Sequence, residues 1–323
     1  MNFLGNVQKT HVQFAILICS LILYLLVKDI SPGLGVAIGV LIAIEIFVMV
    51  GLEIRQGAKE SGWEHEIIDT VIALVVALAI WFSASFLLNT SSPLSGVVSC
   101  SMLPNLYRGD FVVVQGTAID AYEINLTKSE FESLRKAKSI VKDRELTVDG
   151  SMYSYCVYNR VNDVCKEFVS YPENITEVNG PFTYHYEKCS IDNKDRTASY
   201  GPCLKSVEFR GKEYLMNFSN DIIVYKSDPG NLYNSIGDIV HRTLFKINAD
   251  GQIYYLTRGD NNPILDNQVY DYRNGIGNAP IPERNVKGKV LLRIPYLGYF
   301  KLFISGFYLE DPQCDTQLNY DHV

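Results

Sequence analysis

Three almost purely apolar runs, Val12 to Val27, Leu34 to Leu52 and Ile67 to Leu88, lie in roughly the first quarter of the chain and dictate what it can become. Each is near the ~17–25 residues that a helix needs to cross the hydrocarbon core, where every backbone N–H and C=O must be satisfied within the segment. Three transmembrane helices are therefore expected over residues 1–88, the first slightly short. No small-residue cleavage site precedes the Lys28-Asp29-Ile30-Ser31-Pro32-Gly33 turn, so the first run reads as a span and not as a removed leader. Lys9, Arg55 and Lys59 outnumber Lys28 in the flanking loops, which puts the N-terminus and the second loop in the cytoplasm and everything after Leu88 outside. Glu45 falls within the second run, where a carboxyl facing lipid is costly. A helix contact, a neutral form, or a site for a partner subunit or lipid are its open readings.

Beyond Leu88 the chain changes character. A formal net charge of −7 gives no basic footprint, and the sequence holds no zinc-type Cys/His cluster and no glycine-rich phosphate loop. Nucleic acid, a metal and a cofactor are all poor expectations. Of seven cysteines, Cys19 lies in an apolar run, Cys100 beside Ser101 and Cys314 in the tail, which leaves Cys156, Cys165, Cys189 and Cys203 as a framework. Cys156 with Cys165 and Cys189 with Cys203 are the short-loop pairings, and sequence leaves three connectivities open. Pairing implies an oxidising compartment, and sequons at Asn89, Asn125, Asn174 and Asn217 fit exposure outside the cytoplasm.

Short β-branched runs at Phe111–Val114, Asp221–Tyr225 and Lys289–Ile294 read as strands. Residues 118–217, between the first two, read as an inserted subdomain rich in tyrosine and charge. Within it Thr127-Lys128-Ser129-Glu130 fits a capping box, and Phe131, Leu134, Ala137, Ile140 and Val141 follow at helical spacing. Tyr153, Tyr155, Tyr184 and Tyr186 alternate as strand residues do. Asp238 to Ile247 and Gln252 to Thr257 flank the turn Asn248-Ala249-Asp250-Gly251, a hairpin signature. That hairpin brings His241 on one strand towards Arg258-Gly259-Asp260-Asn261-Asn262 at the end of the other, with Asp266 in the loop beyond. Residues 297–309 are too short an apolar stretch to span, and read as an interfacial segment or a last strand, with Tyr296, Tyr299, Phe300 and Phe303 suited to headgroup level. The polar tail from Glu310 is expected to be mobile.

Ser99-Cys100-Ser101-Met102-Leu103-Pro104 arrives just after the last apolar run. In order, this stretch, Tyr107-Arg108-Gly109-Asp110, Asp221-Ile222-Ile223, Ile239-Val240-His241-Arg242 and Thr257-Arg258-Gly259-Asp260-Asn261-Asn262 resemble the successive boxes of type I signal peptidases. The resemblance covers roughly 88–117 and 220–295, about a third of the chain. His241 is the residue that favours the archaeal and endoplasmic-reticulum branch with its Ser-His-Asp chemistry, because bacterial members carry a lysine base there. The resemblance implies a membrane-anchored fold: N-terminal transmembrane α-helices, then a mainly β (signal-peptidase/LexA-like) catalytic domain from 89–117 and 218–296 with an α+β insertion, then 297–323 as apolar segment and tail.

Carried over residue by residue, the resemblance makes Ser101 the nucleophile and His241 the general base. Asp266 takes the third position, with Asp260 as its rival. Histidine suits that role because its unperturbed pKa lies near ~6.5. Ser99 matches the position whose hydroxyl joins the Ser101 N–H in an oxyanion hole, and Met102 is a candidate wall of the substrate subsites. Cys100 and Leu103 depart from the commoner glycine and acidic or amide residue, and the family typically has fewer N-terminal spans and often a further C-terminal one. The implied partners are preprotein signal peptides, the lipid bilayer and the export translocon or accessory subunits, at the cell membrane or endoplasmic reticulum. A processing protease for a restricted substrate class, docking through the insertion, and a catalytically silent scaffold are the alternatives.

Overall fold

The computed structural model of the protein describes residues 3–27, 32–60, 62–136, 138–142, 144, 146–304 and 312–320. Two compact units emerge: Met1–Leu87 with Tyr299–Glu310, and Leu88–Gly298 with Asp311–Val323.

The first unit contains α1 (Phe3–Val27), α2 (Pro32–Glu60) and α3 (Trp63–Leu87), together with a short helix at Tyr299–Ile304. Residues of α2 and α3 over Ala37–Glu60 and Trp63–Leu87 are long and apolar enough to cross a bilayer, and the described apolar stretch of α1 is Val12–Tyr24. Two of the three expected spans reach that length among the described residues. Apolar side chains remain exposed around α2 and α3, with Phe47 at 80 % and Phe86 at 85 %. Glu45 is a helix contact, because Ser20 Oγ of α1 donates to its Oε1 at 3.0 Å. Lys28 to Ser31 of the first turn lie outside the described residues, as do residues 305–311, which include most of the expected segment's second half. The part that is described, 299–304, is helical and not a strand.

The second unit is built on two sheets. In chain order it runs β1 (Leu94–Gly96), β2 (Phe111–Gln115), β3 (Tyr122–Leu126), α4 (Lys128–Arg135), β4 (Lys138–Val141), β5 (Leu146–Asp149), α5 (Met152–Tyr158) and α6 (Asp163–Ser170). There follow β6 (Thr176–Asn179), β7 (Phe182–Asn193), β8 (Ala198–Phe209), β9 (Lys212–Leu215), β10 (Ile222–Lys226), β11 (Asp238–Ala249) and β12 (Gln252–Arg258). Last come β13 (Tyr270–Asp271), β14 (Ile276–Gly277), β15 (Ile281–Pro282), β16 (Val286–Ile294) and β17 (Thr316–Asn319). The first sheet has the order β1-β2-β16-β10-β11-β12-β15, with β3 parallel to β11. The second has the order β5-β4-β6-β7-β8-β9, with β17 on β7. The expected hairpin is β11–β12. Asp250 and Gly251 both have positive φ, 55° and 79°, as a two-residue turn that matches strand twist requires, and Asn248 Oδ1 accepts from Gly251 N at 3.1 Å.

The insertion is not a separate appendage. Phe182, Tyr184, Val207 and Phe209 from the second sheet share one buried cluster with Leu244, Phe245, Ile247 and Leu256 from β11 and β12. Phe245 stacks on Phe182 at 5.4 Å between ring centroids and meets Tyr214 edge-on at 5.1 Å. Within the insertion the Thr127–Glu130 capping box forms, but α4 stops at Arg135. Ile140 and Val141 belong to β4, where they alternate outward and inward, and Ala137 lies outside the described residues. Tyr153 and Tyr155 are helical, in α5, because Ser151 caps that turn by accepting from Ser154 N. Tyr184 and Tyr186 are strand residues as expected.

Both short-loop disulfides form, Cys156–Cys165 and Cys189–Cys203. A third, Cys100–Cys314, was not anticipated. It overturns the expectation of a mobile tail: residues 312–320 make a turn and β17, held by that bond and by pairing with Ser190 to Asn193.

Phe245→Ala is expected to cost about 3–5 kcal/mol and to lower the unfolding midpoint of both sheets in a single transition. Denaturant unfolding followed by probes in each sheet checks this, and two separate transitions would show that the sheets do not share a core.

Candidate active site

β11 is the organising strand. His241 and Arg242 are consecutive on it, so their side chains leave opposite faces of the sheet. On one face His241 lies beside Ile223 and Tyr225 of β10, and it has no strand partner on the β12 side among the described residues, because that pairing begins only at Arg242↔Arg258. After β12 the chain turns through Gly259 and returns in a short 3-10 turn, Asp266–Gln268, which brings Asp266 to the His241 face.

The result is a continuous hydrogen-bonded chain. His241 Nε2 lies 3.0 Å from Ser101 Oγ, and Nδ1 lies 2.7 Å from Asp266 Oδ2. An ionised carboxylate can only accept, so Nδ1 carries the proton and Nε2 of the neutral ring is free to accept from the serine. The three residues are 8 %, 5 % and 1 % exposed in that order. Asp266 Oδ2 also accepts from Tyr225 OH at 3.0 Å and Thr257 Oγ1 at 2.5 Å. Burial pushes the Tyr225 phenol well up, and the Asp266 charge adds to that, so the hydroxyl stays a donor. Tyr225 had no signal in the sequence beyond ending an apolar strand run, and Thr257 appeared only as the first residue of the Thr257–Asn262 motif.

Asp260 occupies a different place. Arg242 holds it with two parallel bonds of 2.8 Å, Nε to Oδ1 and Nη2 to Oδ2, and Asn105 Nδ2 donates to Oδ2 at 2.8 Å. This buried ion pair braces the loop around Ser101 and makes no contact with His241. Strand parity is the reason the two aspartates separate.

Ser99 Oγ is 3.1 Å from Ser101 Oγ, within reach of the reacting oxygen. Met102 is 1 % exposed and packs among Val97, Leu106, Val112, Val114, Val224 and Val240. It forms a floor under the serine and touches no open surface. Gly259 is required by close approach, since a Cβ there would sit 2.5 Å from the Ser101 carbonyl oxygen. Glu187, Cys189 and Cys203 bring three potential metal-ligand atoms together, but the two sulfurs are joined in a disulfide.

The insertion supports the Asp266 turn from behind. Gln268 Nε2 donates to Tyr186 OH at 3.0 Å, Tyr186 OH donates to Glu177 Oε2 at 2.6 Å, and Asn267 Nδ2 reaches Tyr184 OH at 3.4 Å. Leu204 N donates to Pro263 O at 2.7 Å, and Arg258 Nη1 to Leu204 O at 3.2 Å. Burial raises the Glu177 carboxyl above its ordinary 4.5, against the pull of its Tyr186 and Met152 donors.

No family model matches the chain. Over 100 residues, 28 % of this chain, it is 33 % identical to the signal peptidase complex catalytic subunit SEC11 of Pyricularia oryzae, and the match covers 54 % of that protein. The similarity supports a signal-peptidase relationship. The chain spans about half the length of this curated relative.

Two outcomes follow from the site. Asp266→Asn is expected to leave the fold intact and to lower kcat by up to about 10⁴-fold, the scale for losing the correct histidine tautomer. Asp260→Asn is expected to cost roughly 3–5 kcal/mol of stability by leaving Arg242 buried without its charge partner. Steady-state cleavage beside thermal unfolding separates them, and the assignment is wrong if Asp260→Asn is the stable, inactive variant. For Glu177, a native pKa above the unfolded one means that its contribution to stability is complete below pH 4.5 and is lost as pH rises through the raised value. The melting temperature of Glu177→Gln relative to wild type should therefore climb as pH rises above 4.5.

Proposed function

We propose that the chain is a membrane-anchored serine endopeptidase that removes signal peptides from exported preproteins, cutting after small residues. The observation that carries this is the buried Ser101–His241–Asp266 chain, at 3.0 and 2.7 Å, on a β-domain that follows apolar helices. In the proposed reaction His241 Nε2 takes the Ser101 proton as Oγ attacks the scissile carbonyl. Asp266 holds the ring and offsets the imidazolium charge. The Ser101 N–H and the Ser99 hydroxyl receive the oxyanion, each such donor being worth ~2.7–4 kcal/mol of barrier. His241 then returns the proton to the leaving amine, and water hydrolyses the acyl-serine by the same route.

The extended peptide has a natural berth. β1 is an edge strand that leads straight into Ser99–Ser101, and among the described residues Asp238–His241 of β11 has no strand partner on its β12 side. A substrate strand added there brings its carbonyl to Ser101 by main-chain pairing. Three disulfides in the second unit favour an oxidising, extracytoplasmic placement. Exposed Asn125 and Asn174 fit the same side, whereas the Asn89 amide is engaged by Gly116 O at 2.8 Å. Leu94 and Leu292 flank Val113 on neighbouring strands and are half exposed, an apolar rim suited to lipid.

A silent scaffold has no use for so complete a proton path. A dedicated processing protease docking through the insertion is tested by changes on the insertion's surface, because removing 118–219 would take most of the shared core with it.

Purified protein is expected to cleave a labelled preprotein at its signal-peptide junction, and Ser101→Ala to fall to background, a loss on the scale of roughly 10⁶-fold for such a serine. Equal cleavage by both proteins would sink the proposal.

A further inference from the structure

Asn261 touches both the nucleophile loop and the C-terminal segment. Its backbone N–H donates to Ser101 O at 2.7 Å, and its Nδ2 donates to Cys100 O at 3.1 Å and to Thr316 O at 2.9 Å. Its Oδ1 accepts from Leu318 N at 2.7 Å. The same two segments are joined covalently by Cys100–Cys314. Beside them, Gln313 Nε2 donates to Asn262 Oδ1 at 2.6 Å and Tyr320 OH to Asn262 O at 2.9 Å. Every polar group of the Asn261 side chain is thus used, and residues 313–320 lie along the back of the loop that carries Ser101.

The consequence follows from the peptide plane. In a trans peptide the C=O of one residue and the N–H of the next point in opposite directions. Cys100 O is fixed towards Asn261, with Leu103 N also donating to it at 3.3 Å, so the Ser101 N–H points away from Asn261. It has no partner among the described residues, as a donor reserved for an oxyanion should not.

We propose that Asn261 and the disulfide-tethered segment 312–320 are positioning elements of the active site, which lock the Cys100–Ser101 peptide so that the Ser101 N–H faces the developing oxyanion. This rests on the endopeptidase reading above. The tail acts through Asn261 and Cys100 and touches no reacting atom. Its effect therefore belongs to the transition state, where the oxyanion exists, and not to ground-state binding of the peptide.

The test compares wild type, Asn261→Ala, Asn261→Asp and the double variant Cys100→Ala/Cys314→Ala. Three quantities are read: kcat and KM on a preprotein, affinity for a signal-peptide aldehyde, and affinity for an uncleavable peptide of the same sequence. The aldehyde carbon bonds to Ser101 Oγ while the serine proton passes to His241, so its oxygen samples the oxyanion position. Asn261→Ala should lose roughly 10- to 100-fold in kcat and in aldehyde affinity together, less than or equal to the loss of a whole donor. The double cysteine variant should lose less in both, and KM and uncleavable-peptide affinity should hold within about 2-fold in every variant. Asn261→Asp should resemble the alanine change, because its carboxylate keeps the bond from Leu318 N and loses the donor to Cys100 O.

Unchanged kcat and aldehyde affinity in the folded variants would overturn this inference alone. So would equal losses of aldehyde and uncleavable peptide, the pattern of a merely loosened fold. If Asn261→Ala does not fold, the cysteine variant decides by the same ratios. Wild type that neither cleaves nor captures the aldehyde overturns the endopeptidase reading as well.

Discussion

A carboxylate taken out of water must be hydrogen-bonded or it ceases to be a carboxylate, and Asp266 is almost wholly buried. Much of the second unit can be understood as the means of meeting that demand. Strand β10 supplies Tyr225, β12 supplies Thr257 and β11 supplies His241, all to the same oxygen. The turn that carries Asp266 is in turn held by Gln268 and Asn267 against tyrosines of the second sheet. The insertion therefore contributes to the first sheet twice, through a common apolar core and through polar contacts behind the acid. A hydrogen-bonded acid with fixed neighbours would need no rearrangement to offset a positive charge on His241, which is what preorganisation means physically.

The parts of this arrangement that are local in sequence were readable in advance. The strands at Phe111, Asp221 and Lys289, the β11–β12 hairpin and the Thr127 cap each depend on a period or a turn residue within a few positions. The two short-loop disulfides were one of three connectivities that the sequence left open, and the fold selects them. The juxtaposition of Ser101, His241 and Asp266 came from the order of motifs and not from any period, since 140 residues separate the serine from the histidine.

What escaped was set by contacts between distant segments. α4 ends at Arg135 although apolar residues continue at helical spacing, because Ile140 and Val141 find β5 and β6 as partners. Tyr153 and Tyr155 alternate as a strand would, yet the Ser151 cap and the Cys156–Cys165 bond make a helix of them. The choice between Asp260 and Asp266 was already encoded in the adjacency of His241 and Arg242, but it becomes visible only once both are known to lie on one strand. Cys314 looked like a stray in a polar tail, and only the fold reveals that it returns to Cys100.

That return also bears on time. The two cysteines are 214 residues apart, so the loop holding Ser101 is made long before the residue that closes it. At ordinary synthesis rates the interval is roughly 10–40 s. During it the serine sits on an untethered segment whose neighbours in the second sheet, on β12 and on β17 are still to come. The strands and turn that bring Ser101, His241 and Asp266 together are thus all made before the bond that ties Cys100 to Cys314 can close, so the covalent restraint is added to a site whose members are already present.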